Sequence, residues 1–252
     1  MRPNQTKRLL TAGRPAIGTF CSSASPFIAE GLGHAGYDFV IVDLQHGENN
    51  LGNLQGMLQA LSSTPTTPVV RVPANMAVYI QRSLDLGAYG TIVPLVNTRT
   101  EAEAVMQSVR YAPEGARSWG PLRGALYAGP DYFAKAAEEL LTIVMLETAQ
   151  AARNAQEILS VPGVDGCFIG PNDLSVSLGF SSELMDLPAP VEAAIGAILE
   201  AVRSTGKAAG IQVYSAQAAN ARIAQGFRFV GVMSDVRMMR NKAAETLQAI
   251  KR

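Results

Sequence analysis

Two acidic residues stand where the local pattern does not invite a charge. Glu147 follows the apolar run Ile143-Val-Met-Leu146, and Asp173 follows Gly170-Pro-Asn. A carboxylate at the end of an apolar run needs a partner. Salt bridges or solvation would supply one. A shared divalent ion is the other reading, with two carboxylates as a half-site that substrate and water complete. The chain has only His34, His46, Cys21 and Cys167, so multi-histidine and thiolate sites are excluded. A hard ion such as Mg2+ or Mn2+ suits the oxygen donors that remain. Arg71 lies within Val-Val-Arg-Val-Pro, where its fork of donors must be satisfied. A substrate carboxylate or a developing oxyanion would do so; a charge at a sheet edge is the plainer alternative. His46 comes three residues after Asp43, within reach of a carboxylate that would orient it as a general base. The alternative is a capping or surface histidine, the reading His34 receives. The five lysines (Lys7, Lys135, Lys207, Lys242 and Lys251) lie neither in nor at the end of an apolar run. A Schiff-base mechanism is therefore not expected.

These residues act together only if a fold gathers them. Eight short apolar runs recur at 16–20, 39–42, 69–72, 91–93, 142–146, 166–169, 209–213 and 229–232. They are continuous rather than alternating, as in parallel strands covered on both faces. Between them, apolar residues three or four apart predict helices over 54–61, 79–86, 102–109, 191–202, 216–224 and 238–250. Gly36, Gly87, Gly163 and Gly226 precede four of the runs, suited to the left-handed turn that ends a helix. Strand and helix alternating eight times predict an α/β fold, a (β/α)8 TIM barrel, as one domain over 1–252. An open doubly wound sheet is the runner-up, but its GxGxxG after the first strand is missing. In a barrel, chemistry sits at the C-terminal strand ends. Asp43 and His46 then follow strand two and Arg71 lies in strand three. Glu147 ends strand five, strand six runs into Gly170, Pro171, Asn172 and Asp173, and Gln212 lies in strand seven. The longest expected loop, 111–129, reads as a lid or an interface segment.

Composition narrows the partners. Twenty-one basic and 21 acidic residues cancel, so a nucleic-acid partner is not expected. No run nears the roughly 18 apolar residues of a membrane span, and the basic N-terminus lacks a signal-peptide core. A cytoplasmic enzyme of small molecules is the expectation. The glycine-rich phosphate loops of sugar-phosphate barrels are also missing, and no nucleotide cofactor is expected.

The motifs Gly36-Tyr-Asp-Phe-Val-Ile-Val-Asp43-Leu-Gln-His46, Pro68-Val-Val-Arg71-Val-Pro, Leu84-Asp85-Leu-Gly-Ala, Arg110-Tyr-Ala-Pro-Glu-Gly-Ala-Arg117, Leu146-Glu147-Thr and Gly163-Val-Asp-Gly-Cys-Phe-Ile-Gly-Pro-Asn-Asp173-Leu-Ser occur in order. With them the chain resembles the HpcH/HpaI aldolase family, class II pyruvate aldolases, over roughly 10–250. The resemblance implies retro-aldol cleavage of a 4-hydroxy-2-oxo acid to pyruvate, or a related 2-oxo acid, and an aldehyde. It implies that Glu147 and Asp173 hold Mg2+, Mn2+ or Co2+. His46 would be the general base, with Asp43 and Asp85 orienting it or raising its basicity. Arg71 would stabilise the enolate, and the backbone of Gly170, Pro171, Asn172 and Asp173 would hold the pyruvyl carboxylate, with Gln212 nearby at the same rim. It also implies a hexamer built from dimers, with the last helix swapped onto a neighbour. Met145 and Gln45 stand where many members have Gln and Glu, a departure at the contacts to the aldehyde. Aldehyde specificity is expected from 111–129, from 175–190 and from the subunit interface. A CoA-thioester lyase of the citryl- or malyl-CoA type, and a non-catalytic 2-oxo-acid-binding barrel, are the alternatives.

Overall fold

The computed structural model describes residues 1–182 and 186–251. Eight parallel strands close into a barrel in sequence order. They are β1 (Ala16–Cys21), β2 (Phe39–Asp43), β3 (Thr67–Arg71), β4 (Gly90–Val93), β5 (Leu141–Met145), β6 (Gly166–Ile169), β7 (Ala208–Val213) and β8 (Phe229–Ser234). This is the (β/α)8 architecture the spacing predicts, with every predicted strand within two residues of its place. The six predicted helices are present as Leu51–Ser62, Ala77–Asp85, Arg99–Val109, Ala189–Thr205, Ala216–Gln225 and Asp235–Ala249. Among the described residues no helix is long and apolar enough to cross a membrane.

A strand alternates its side chains, so a closed barrel sorts its residues into two cores. The outward-facing ones, such as Val40, Val42, Val70 and Val144, pack under the helices. The inward-facing ones form a smaller cluster that includes Phe39, Ile41, Val69, Ile143, Met145 and Phe168. Phe39 stacks on Phe229 with ring centroids 4.0 Å apart, and Phe168 meets Phe229 edge-on at 5.8 Å. These rings fill the lower barrel and floor whatever lies above. Continuing the inward parity up each strand reaches Asp43, Arg71, Glu147, Gly170, Gln212 and Tyr214.

Six of the helices that follow strands begin on a side-chain cap: Ser25, Asn50, Thr98, Thr148, Ser215 and Ser234. Such caps satisfy orphan N–H groups and fix where each loop ends. Among the described residues seven further helices lie outside the predicted set: Gln5–Thr11, Pro26–His34, Leu122–Ala128, Tyr132–Glu139, Ala149–Arg153, Ala155–Leu159 and Pro171–Ser177. The helix Gln5–Thr11 sits beneath the barrel, with Thr6 Oγ1 2.9 Å from Thr67 Oγ1 and Leu9 and Leu10 against the inner core. Segment 111–129, expected as a loop, contains the helix Leu122–Ala128. Its buried Arg117 bonds Asp85 at 2.8 Å and the Tyr132 hydroxyl at 3.0 Å.

Candidate active site

Asp43 and Arg71 are register partners across β2 and β3. Both side chains face inward and are nearly buried. The guanidinium donates from Nε to Asp43 Oδ1 at 2.8 Å and from Nη2 to Oδ2 at 2.6 Å, and lies over the Phe20 ring at 4.8 Å. This two-pronged pair balances charge and fixes the guanidinium plane. Two of its five N–H donors are used, so three remain for a ligand.

The loop after β2 carries His46. Asp43 Oδ1 accepts the backbone N–H of Gln45 at 3.0 Å and of His46 at 3.3 Å, and Asn49 Nδ2 donates to the Cys21 carbonyl at 3.0 Å. Gly47 lets this loop fold down: a Cβ there would sit 2.5 Å from the Asp43 carbonyl oxygen. The imidazole is exposed and faces the cavity. The expected orienting bond from Asp43 to the imidazole does not form, because Arg71 and the loop N–H groups occupy the carboxylate. Asp43 orients His46 through the backbone instead. Asp85, expected to assist His46, ends the helix Ala77–Asp85 ahead of β4, at the opposite rim, and pairs with Arg117. Within one chain it does not meet His46.

Glu147 is 2% exposed. Its Oε1 accepts the Leu95 N–H at 2.9 Å. Leu95 holds a left-handed φ of 54°, as Met233 does at 62°. Both non-glycine residues lie at this rim, where strain clusters with function. A Cβ on Gly170 would lie 2.9 Å from Glu147 Oε2 and 3.3 Å from Asp173 Oδ2. The missing methyl thus leaves a small space on which two carboxylate oxygens converge. Burial pushes the Glu147 carboxyl up from its ordinary 4.5 to about 7. The Leu95 N–H opposes the rise, the facing Asp173 charge adds to it, and Arg71 opposes it again. Among the described residues no group of three or more His, Cys, Asp or Glu side chains gathers for a metal. The chemistry of the two oxygens at Gly170 fits half of a site for a hard divalent ion, one that would take its other ligands from substrate and water.

A cavity of about 230 Å3 opens beside these groups, and the buried Glu147 is not among the residues that line it. That is below the roughly 300–1,000 Å3 of sites for drug-sized ligands, which selects for small substrates. Asp43, His46, Arg71, Gly170, Pro171, Asn172, Asp173 and Gln212 all line it, as the strand ends predict. Gln212 donates to the Met233 carbonyl at 3.2 Å, and its Oε1 is buried without a partner. Met145, the family departure noted above, and Ser234 also line it, and Phe20, Ser22, Phe168, Tyr214, Met233 and Arg237, which the sequence does not single out, complete the lining. Phe20, Phe168 and Tyr214 carry the inward parity of their strands, a signal that was present. Arg237, on the first turn of the last helix, carries none.

A family model described as HpcH/HpaI aldolase/citrate lyase matches residues 16–242. The chain belongs to this family. It is 37% identical over 244 residues to a hydroxypyruvate/pyruvate aldolase of Rhizorhabdus wittichii, covering 97% of each. It is 37% identical over 249 residues to a 4-hydroxy-2-oxo-heptane-1,7-dioate aldolase of Escherichia coli, covering 98% of this chain and 94% of the relative. The crystal structure of a family member from Burkholderia cenocepacia superposes with a TM-score of 0.90 at 32% identity, over 97% of this chain and 98% of that one. This member of the HpcH/HpaI family is an enzyme, a carbon–carbon lyase of the aldolase type.

Proposed function

We propose that the chain catalyses reversible aldol cleavage of a 4-hydroxy-2-oxo acid to pyruvate, or a related 2-oxo acid, and an aldehyde, with a divalent ion held by Glu147 and Asp173. The observation that carries this reading is the pair of carboxylate oxygens, Glu147 Oε2 and Asp173 Oδ2, converging on the space at Gly170, with Gly170 and Asp173 lining the same small cavity as Arg71 and His46. When bound, a divalent cation supplies Lewis acidity, polarising the 2-oxo group and acidifying the adjacent carbon. Mg2+, Mn2+ and Co2+ are the candidates.

The chain's own residues do the rest. Segment 170–173 seats the substrate carboxylate at the cavity wall. His46 takes the proton of the C4 hydroxyl as the C3–C4 bond breaks. The aldehyde departs and the bond's electron pair moves into the enolate. The free N–H groups of Arg71 donate to the enolate oxygen, a preorganised charge that Asp43 has already balanced and fixed. His46 then returns the proton to C3, giving the methyl group. In the synthetic direction His46 removes that methyl proton and the enolate carbon attacks the aldehyde. The exposed face of the helix Asp235–Ala249, with Met239 and Leu247, and Ile250 just beyond it, is available to further copies in a hexamer.

The test is exchange of pyruvate methyl protons in D2O, followed by NMR with no aldehyde present. Exchange is expected with Mn2+ or Mg2+, abolished by EDTA and restored by metal. His46→Ala is expected to slow it about 10²–10⁴-fold, the usual worth of a positioned base. Near-full exchange in that variant removes His46 from its role. Chelator-insensitive turnover trapped by borohydride would indicate an imine and overturn the metal reading.

A further inference from the structure

The charges lining the cavity can be matched one by one. Asp43 is taken by Arg71 through two hydrogen bonds. Asp173 faces Glu147 across the Gly170 space. Arg237 remains. Its guanidinium stacks over the Tyr214 ring at 4.3 Å, and Asn172 Nδ2 donates to the Tyr214 hydroxyl at 3.1 Å. Among the described residues no carboxylate lies within salt-bridge distance of it. The nearest acidic residue in sequence, Asp235, is buried and occupied by Ser22 N–H at 2.8 Å and Ser23 N–H at 3.0 Å. Arg237 is exposed, whereas Arg71 is buried at the cavity floor. The cavity therefore holds two guanidinium groups with different states. One is neutralised and rigid beneath the reacting atoms; the other is uncompensated, braced on an aromatic face, and stands where the cavity opens.

We infer that Arg237, stacked on Tyr214 at the cavity mouth, selects aldehyde partners that carry an anionic group, and so acts as a specificity-determining residue of the aldol reaction. The inference rests on the aldol reading proposed above. The aldehyde must enter from the open side, since the 2-oxo acid occupies the inner end between Arg71 and the two carboxylates. An arginine fork meets a carboxylate or a phosphate with parallel N–H donors. Stacking on Tyr214 limits the rotamers lost when it does so, which keeps the gain from being cancelled by ordering. Asn172 holds the Tyr214 hydroxyl and serves as a positioning residue. No bond is made or broken by Arg237, so its contribution is to KM and orientation for one class of partner.

The experiment compares matched aldehydes with pyruvate and Mn2+: 4-oxobutanoate against butanal, and glyceraldehyde 3-phosphate against glyceraldehyde. The protein as it stands is expected to prefer the charged member by about tenfold or more in kcat/KM. That is the worth of a charge-assisted hydrogen bond after discounting for exposure. Arg237→Gln is expected to bring that ratio close to one, and Arg237→Lys to keep part of it. The carboxylate and phosphate arms tell which anion is preferred. Equal loss with charged and neutral aldehydes, or an unchanged ratio, overturns the inference. Pyruvate deuterium exchange, read in the same samples, reports separately on the aldol reading. Should exchange be absent, calorimetric titration with 4-oxobutanoate still decides: tighter binding to the parent than to Arg237→Gln supports the subsite, and equal binding overturns it.

Discussion

Carboxylates stand at both ends of this barrel, and they lead opposite lives. At the N-terminal rim, Asp38 and Asp165 each follow a glycine by two residues at the start of a strand. Their surroundings repeat almost bond for bond. The Asp38 N–H donates to the Ile17 carbonyl at 2.8 Å, its Oδ2 accepts the Ile17 N–H at 2.7 Å, and its carbonyl accepts the Thr67 N–H at 2.9 Å. Asp165 does the same with the Thr142 carbonyl at 2.9 Å, the Thr142 N–H at 2.8 Å and the Ala208 N–H at 3.0 Å. Each thus staples three consecutive strands by satisfying backbone groups at their N-terminal ends. Lys7 completes Asp165 at 3.1 Å. At the C-terminal rim, Glu147 and Asp173 face each other instead of a cation. Glu147 is left with a carboxyl pushed up to about 7 by burial. The N-terminal rim spends this pair on the fold; the C-terminal rim sets Glu147 and Asp173 against each other, poised for a ligand.

The largest expected effect separates the two roles most sharply. Glu147→Gln keeps an acceptor for the Leu95 N–H but removes the charge a cation needs. Lewis-acid stabilisation is worth several kcal/mol, so turnover is expected to fall at least about 10³-fold. The same change is expected to stabilise the metal-free protein. Glu147 is protonated in both folded and unfolded chains below pH 4.5. Between there and about 7 the unfolded chain ionises while the folded one resists. Stability is therefore lost as pH rises through that window, by on the order of 3 kcal/mol once both are ionised. Denaturant midpoints in EDTA are expected to fall from pH 4.5 to pH 8 in the parent and to fall less in Glu147→Gln. A parent protein as stable at pH 8 as at pH 4.5, without metal, would contradict an uncompensated carboxylate.

Asp165→Ala is the reciprocal experiment. It leaves the Thr142 N–H buried without an acceptor and removes the ion pair to Lys7, which costs about 1–3 kcal/mol. Activity per folded molecule is expected to be retained, since no ligand reaches that rim. If the variant instead lost turnover while keeping its unfolding midpoint, the division between a structural rim and a chemical one would fail.

How much of this was written in the sequence follows the same division. Strands were legible because continuous apolar runs between glycine signals leave little else to be. Gly36, Gly87, Gly163 and Gly226 all hold the positive φ expected of them, between 92° and 115°. Strand ends then brought Asp43, His46, Arg71, Gly170, Asp173 and Gln212 to one cavity by parity alone. Parity cannot say whom a side chain prefers. The spacing in sequence pairs Asp43 with the His46 imidazole, yet its register partner Arg71 offers two parallel donors and wins. Nor can it follow residues beyond the strands. Arg237 sits one helical turn above β8, and the N–H that holds Glu147 belongs to Leu95, whose side chain points to solvent and carries no pattern. The helices Gln5–Thr11 and Leu122–Ala128, seven residues each, are too short for a 3.6-residue period to register. Residues 183–185, within the segment expected to carry specificity, lie outside the described residues.

The smallest expected effect tests whether Leu95 matters through its backbone alone. A left-handed φ costs an ordinary residue roughly 1–2 kcal/mol. Glycine relieves that strain but surrenders about 0.5–1 kcal/mol of unfolded-chain entropy. Leu95→Gly is therefore expected to shift stability by less than about 1 kcal/mol, and to leave the N–H to Glu147 in place. The pH dependence of the unfolding midpoint in EDTA should then match that of the parent, because the N–H still tempers the rise in the Glu147 carboxyl. A loss beyond about 2 kcal/mol, or a changed pH window, would mean that the exposed leucine side chain itself shapes the rim. In that case the strain at this position would serve packing, and the contrast drawn between the two ends would need a second cause.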